Sequence, residues 1–479
     1  MIRKSPYSLL VAALLTVSVP ASASVIDLAL SSMPANSWQQ INLNAFQDVW
    51  TPLSLRPTPD SPQSNISAWS GAAWDSARRD LLIYGGDIGN EQGNEVYIFH
   101  TETGMWDRGS LPSKVAVSNG ITTTVGGSQD APVSGETYDN IVYLKNADRL
   151  AVIAVSREGA SFKDEAGNTT GPYFWDPSKA NPLLVSGSDG TGVDPSYSGG
   201  QMWENRDNYR EVGRPSPGGG TNGSAEYAYA NANGQDVVYF SDSPGNLWRY
   251  TVDPRGGAYD TWELVGTRPW SGQYPEGAGL FIESRNLFVR AARHPGSKGN
   301  VLQVTSLDNP GSSNRALSVL LDPSLGITLP PSQYLGMSYD PVNDQIVMWD
   351  GGSDLWLVDV DDLVSPDDTS ADNGGIPFLH GYFTPTQMFP SGNGPTIPPK
   401  YYTGVYGKWI YLEDEGAFIG VIDPFAGDVF LYKPAGDSGN GGGGGDIPIP
   451  SSGLLVTTAL LLLMRARKSR EGGNLKLHA

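Results

Sequence analysis

The chain has no cysteine, and only four of its 479 residues are histidine. Without thiolates it cannot carry disulfides, a Cys-ligated zinc ion, an iron–sulfur cluster or a cysteine nucleophile, and few imidazoles remain for other metals or for proton transfer. Positive charge is scarce too. With 31 basic against 51 acidic side chains the net charge is −20, the wrong sign for a nucleic-acid binder, which needs a basic footprint. Long runs of helical period are also missing between residues 36 and 434, where Gly or Pro interrupts nearly every stretch of ten. What the chain does have is 39% hydrophobic residues, with aromatics at 10%, enough for a packed core rather than global disorder.

The two ends differ from the body. Arg3 and Lys4, the apolar stretch Leu9 to Val19 and the triplet Ala21-Ser22-Ala23 read as a secretory signal peptide over 1–23, too short in its apolar part to span a bilayer. At the other end a Gly-rich linker (435–446) leads into Ile447-Pro448-Ile449-Pro450-Ser451. An apolar stretch, Gly453 to Met464, follows, and then a basic cluster of Arg465, Arg467, Lys468 and Arg470. This reads as a short transmembrane helix whose basic tail stays cytoplasmic. Taking the seven basic and one acidic residues of segments 1–23 and 447–479 from the totals leaves 24 basic and 50 acidic residues, a body (24–434 with its linker) at −26.

The order of linker, Pro-x-Pro box, apolar helix and basic tail resembles the PEP-CTERM bacterial sorting signals, in the variants reading V-P-L-P, with Ile where the family has Glu. The resemblance implies export across the inner membrane of a Gram-negative bacterium, processing by an exosortase-like enzyme, and a place on the cell surface or in an exopolysaccharide matrix. The glycine run is also similar to GlyGly-CTERM signals, and an unprocessed tail anchor is the plain alternative.

Within the body one unit recurs: a strand, a tight polar turn, an apolar strand, a Gly/Asp/Asn loop, and a strand carrying Trp or Tyr. The clearest copies are Trp74-Asp75, the turn Ser76 to Asp80, Leu81 to Gly86, Glu95 to Phe99 and Gly104-Met105-Trp106; and Tyr339-Asp340, the turn Pro341 to Gln345, Ile346 to Gly352 and Leu355 to Asp359. Second strands are expected to start at 81, 150, 237, 287, 346 and 409. The strand, Gly-Gly, aromatic and Gly-x-Trp pattern resembles kelch/galactose-oxidase-type β-propellers. It implies an all-β body of six or seven four-stranded blades, with the paired glycines turning between inner strands and the later aromatics packing between blades. Asn36 to Ile41, with Phe46 and Trp50, reads as a strand without a blade, expected to join residues 400–434 and close the ring.

Galactose oxidase holds copper with Tyr and His side chains and a Tyr–Cys crosslink, so the missing cysteine excludes that chemistry here; His100, His294 and His380 are scattered singly. The acidic run Asp359, Asp361, Asp362, Asp367 and Asp368 is a candidate calcium site, but it lacks the spacing of an EF-hand and reads more readily as a solvated loop. The stretch 157–222 reads as a long insertion. Its Tyr197, Trp203, Arg206, Asp207 and Tyr209 are candidates for stacking on and hydrogen-bonding to a sugar, or for packing the loop on the body. No phosphate-cradling or metalloprotease motif occurs. The expected function is an exported binding module for polysaccharide or a surface protein; the alternative is a carbohydrate-active propeller enzyme using carboxylates at the channel mouth.

Overall fold

The computed structural model describes residues 23–436 apart from 59–61, 87–91, 157–161, 189–195, 210–222, 243–244, 268–276, 294–299, 309–313, 315–316, 327–328, 330–333, 364–378 and 397–402. The signal peptide ahead of Ala23, the linker from residue 437 and the sorting segment lie outside these residues. No helix among the described residues is long and apolar enough to cross a membrane.

Six antiparallel sheets form six blades of a β-propeller. From the axis outwards, blade 1 is Gly71–Asp75, Asp80–Tyr84, Tyr97–His100 and Met105–Arg108; blade 2 is Ile141–Leu144, Arg149–Val152, Tyr173–Trp175 and Trp203–Asn205; blade 3 is Ser224–Ala230, Asp236–Ser241, Asn246–Thr251 and Thr261–Thr267. Blade 4 is Gly279–Ile282, Leu287–Arg293, Asn300–Ser306 and Leu317–Leu321, and it adds a fifth strand, Leu379–Phe383, parallel to the fourth. Blade 5 is Gly336–Asp340, Gln345–Trp349, Leu355–Asp359 and Thr386–Met388. Blade 6 is Trp409–Leu412, Ala417–Val421 and Val429–Lys433, completed by Ser37–Gln40 from the other end of the body.

That last pairing is the ring closure expected from sequence, with Trp38 opposite Tyr432 and Gln40 opposite Phe430. Trp38 is buried among Trp349, Trp409 and Tyr432, at ring-centroid distances of 5.8, 5.7 and 5.3 Å, and its indole N–H donates to Ser353 O at 2.8 Å. A helix, Val25–Ser32, precedes the strand. Ser24 caps it by accepting from Asp27 N, and its Ile26 and Ala29 are buried between blades 6 and 1.

Why these strands read as unbroken apolar runs follows from the packing. A blade is covered on both faces, so successive residues are all buried while pointing to alternate sides. Leu81 and Ile83 pack towards blade 6 with Ile419 and Leu431, whereas Leu82 and Tyr84 pack towards blade 2 with Leu150 and Val152. The core is accordingly a set of apolar layers, one between each pair of neighbouring blades.

The two clearest repeats share one turn. Asp75 Oδ1 accepts the amides of Ala77 and Arg78, and Arg79 then takes a left-handed φ of 57°; Asp340 Oδ1 accepts from Val342 and Asn343, and Asp344 has φ 51°. A short acidic side chain that mimics the turn's backbone, followed by a residue tolerating positive φ, gives a tight hairpin.

Three expectations need correction. The glycine pairs do not form a tight turn between inner strands. Gly85 and Gly86, at φ 88° and 93°, end the second strand, and a Cβ on Gly86 would lie 2.0 Å from Ser64 O, so the pair lets the chain leave the blade against a neighbouring loop. Residue 409 opens the innermost strand of blade 6, and the second strand starts at 417; both runs are apolar, so the repeat pattern does not tell them apart. The stretch 157–222 is not simply an insertion, because it supplies the third and fourth strands of blade 2.

Candidate functional site

The innermost strands line the axis, and a cavity of about 150 Å3 opens there with walls from all six blades. One end is pinched. Asp139, just ahead of blade 2, reaches across the ring: its Oδ2 accepts the amide of Gly279 in blade 4 at 2.6 Å, and its carbonyl accepts from Ala225 N of blade 3 at 2.7 Å. Gly407, ahead of blade 6, lies so near that a Cβ there would be 2.5 Å from Asp139 Oδ1. Beside this floor Lys408 is fully buried, its ammonium donating to Ser70 O at 2.6 Å and Ser70 Oγ at 3.2 Å. Burial pushes Asp139 well above the usual carboxylate range, against the Gly279 amide and the charges of Arg290 and Lys408; burial likewise lowers Lys408 to about 7, against Asp139.

The other end lies where the innermost strands turn into the second strands, at Ser76, Lys145, Glu413 and Asp414. Lys145 follows the innermost strand of blade 2 and Glu413 that of blade 6, so their 2.7 Å ion pair bridges across the end of blade 1's innermost strand. The same ammonium sits 5.4 Å from the ring centroid of Tyr227 in blade 3. Between floor and mouth the wall carries Trp74, Tyr227, Tyr411, Ser338 and Glu226. Tyr411 is fixed by its amide, which donates to Ser338 Oγ at 2.9 Å.

Glu226 is the charged residue of the strand Ser224–Ala230, and neighbouring Ala225 packs towards blade 2. Burial raises its carboxyl well above the ordinary value, helped by the nearby charges of Asp139 and Glu413 and opposed by Lys145. Its side chain makes no hydrogen bond to any described residue. A carboxyl in this state offers a proton to a ligand oxygen, or takes up a cation and ionises.

The sugar-contact candidates do not gather into an exposed strip. Trp203 is buried against Tyr84, with ring centroids 5.0 Å apart. Arg206 is buried between blades 2 and 3, forked on Asp260 at 2.7 and 3.0 Å, paired with Glu204 at 2.6 Å and stacked 4.9 Å over Phe174. Asp207 accepts from the Thr170 hydroxyl at 3.0 Å, and Tyr209 is buried, donating to Ile153 O at 2.5 Å. Tyr197 is half-buried. Aromatic residues beside Asp, Asn and Arg form an interblade network here because that mixture also satisfies a buried polar seam.

The acidic run is dispersed as well. Asp359 caps the amide of Asp361, Asp361 pairs with Arg285 at 2.9 Å, and Asp362 accepts from Thr384 N, while Asp367 and Asp368 lie outside the described residues. Among the described residues no group of three or more His, Asp or Glu is placed to hold a metal ion. His100 is paired with Asp80 at 2.9 Å; His294 and the side chain of His380 lie outside the described part. Sequence reasoning missed the axial residues. The signal available was a lone Glu inside the otherwise uncharged strand that opens blade 3.

No family model matches the chain, and no curated protein sequence does. Among solved structures it is similar to a fungal alcohol oxidase of the AA5 family in complex with copper, at 11% identity and a TM-score of 0.37 over 76% of this chain; it spans 62% of that oxidase's length. It is similar to the α-L-arabinofuranosidase Arb93A from Fusarium graminearum in complex with an iminosugar inhibitor, at 10% identity and a TM-score of 0.39, covering 82% of this chain and 98% of that one. The SapL1 lectin in complex with α-methyl fucoside is a further neighbour, at 11% identity and a TM-score of 0.28, covering 78% of this chain and 91% of the lectin. The body is a six-blade propeller with galactose-oxidase-like structural neighbours, and at these values the likeness carries nothing about chemistry.

Proposed function

We propose that this chain is an exported binding propeller, held at a bacterial surface or in its matrix, whose axial cup takes one residue of an extracellular glycan, free or carried by a surface protein. The observation that carries this reading is the cup itself, with Trp74, Tyr227 and Tyr411 set among Glu226, Glu413, Asp414 and two serines. Aromatic faces suit sugar C–H surfaces, and carboxyl and hydroxyl groups suit sugar hydroxyls. Its volume is below the roughly 300–1,000 Å3 of pockets for drug-sized ligands, which fits a single ring. The leader-like start and sorting-signal-like tail support export, with removal of the tail by an exosortase-like enzyme; mass spectrometry of the mature C-terminus tests that part, since an intact basic tail would refute processing.

The binding reading is tested by a glycan array probed with the wild-type chain and with Trp74→Ala. Retained glycans that the variant loses would support the cup. Binding unaffected by the variant would move the site elsewhere, and absence of any glycan ligand would overturn the reading. Cleavage of a bound glycan, lost in Glu226→Gln, would instead establish the enzyme alternative.

A further inference from the structure

Among the described residues, four carboxyls line the cup, those of Asp139, Glu226, Glu413 and Asp414, with one basic side chain, Lys145. Asp139 is occupied by the Gly279 amide and Glu413 by Lys145, whereas the Glu226 carboxyl has no hydrogen-bond partner among the described residues. These acids are too dispersed to gather on one metal ion. Carboxyls spread around an aromatic wall suit an extended organic cation, which meets one of them with its charge and the rings with its body.

The mouth already displays this chemistry. Lys145 seats its own ammonium between the Glu413 carboxylate, at 2.7 Å, and the face of Tyr227, at 5.4 Å. Ammonium held by a carboxylate against an aromatic face is a stabilising arrangement, and the body's charge of −26 attracts cations towards it. On the same wall Glu226 offers a second acid, which makes no hydrogen bond to a described residue.

Resting on the glycan reading above, we propose that the cup selects an amino sugar, with the ligand's primary ammonium on Glu226 and its ring against Trp74 and Tyr411. A lysine side chain from a partner protein fits less well. Its four methylenes call for an apolar sleeve, whereas Ser76 and Ser338 line this wall among the acids and suit the hydroxyls of a sugar.

The test is isothermal titration of the full chain with a fully deacetylated glucosamine tetramer, its N-acetylated counterpart and an Nα-blocked lysine amide, in two buffers of different ionisation enthalpy. The expected result is binding of the amine at least about tenfold tighter than the acetylated sugar, the scale of a charge-assisted contact. Proton release from Glu226 on binding is also expected, as is a loss of about tenfold or more in Glu226→Gln, whose fold is checked by its melting curve. Equal or tighter binding of the acetylated sugar, lost in Trp74→Ala, would overturn the amine while leaving the glycan reading intact. Tighter binding of the lysine amide would overturn the sugar class. Amine binding untouched by Glu226→Gln would overturn the assignment of Glu226, and binding of none of the three probes, with a blank array, would overturn both readings.

Discussion

Two acidic groups in the ring, Asp260 and Glu226, have opposite surroundings. Asp260, between blades 2 and 3, is saturated: it accepts both arms of Arg206, the Asn208 amide at 3.0 Å, the Tyr250 hydroxyl and the Asp253 backbone amide at 2.7 Å. Tyr250 in turn stacks on Trp262 at 4.2 Å. Glu226, at the axis, has its charge opposed by burial and by two other carboxyls, and no described residue donates to it. A buried polar group whose bonds are all made inside the protein holds the fold together; one left without a donor at a cavity wall keeps its capacity for a ligand. On this ground Arg206 and its neighbours, which look like a binding cluster in sequence, belong to the architecture, and Glu226, which does not, belongs to the site.

The strongest way to break the contrast is Arg206→Met. Removing one partner of a buried pair leaves Asp260 with uncompensated charge, at a cost of about 3–5 kcal/mol. Chemical denaturation should register a loss on that scale, while glycan binding measured well below the melting point should be unchanged. A ligand lost together with little stability would reverse the roles assigned to the two clusters.

Glu226→Gln should do the opposite. The native carboxyl lies well above its unfolded value of about 4.3, so the folded chain keeps a proton that the unfolded chain releases. Stability from this group therefore falls as pH rises from about 4.3 towards the raised value, because over that window the native state binds more protons. Glutamine does not titrate. The variant should melt higher than the wild type, by a margin that widens from about pH 5 to neutrality, while losing the amine ligand. A margin that stays flat with pH would show that Glu226 is ionised in the free protein.

The propeller was legible because its local signals agree. The Asp75 and Asp340 turns, the apolar runs beside them and the unpaired Trp38 strand each encode one hairpin or one pairing, and five of the six expected second-strand positions, within a residue, are second strands. Blade 6 went out of register because Trp409–Leu412 and Ala417–Val421 are both apolar and nothing local says which faces the axis. The cup was not legible for a different reason. Trp74, Lys145, Glu226, Ser338 and Tyr411 are brought together by ring closure from five blades, one or two positions each, with no spacing that a sequence could display. Trp203 and Arg206 misled because aromatic and charged residues have the same composition whether they face solvent or fill an interblade seam.

A weaker pH effect sits on the outer part of blade 1. His100 is held above its ordinary value by its hydrogen bond to Asp80, partly offset by burial, and burial lifts Asp80 as well. For the histidine, whose folded value exceeds the unfolded value of about 6.5, the stabilisation is complete below about pH 6.5 and is lost as pH rises through the folded value. His100→Gln should flatten the melting curve's pH dependence across that window and leave ligand affinity alone. An unaltered slope would assign the dependence to other groups.

The smallest effect on stability should come from Lys145→Gln. The pair with Glu413 is solvent-exposed on both sides, 42% and 71% by side chain, so its removal should cost no more than about 1 kcal/mol. The same substitution removes the ammonium that competes for the mouth and leaves Glu413 beside Tyr227 without its internal cation. Affinity for the glucosamine tetramer should therefore rise severalfold, most at low ionic strength, where exposed charges act at longest range. Together the two readouts separate a lysine that merely decorates the rim from one that occupies the ligand's place. A rim lysine would change neither quantity, a lysine that itself binds the glycan would lower affinity when removed, and only an internal stand-in for the ligand raises affinity while leaving the melting temperature nearly where it was.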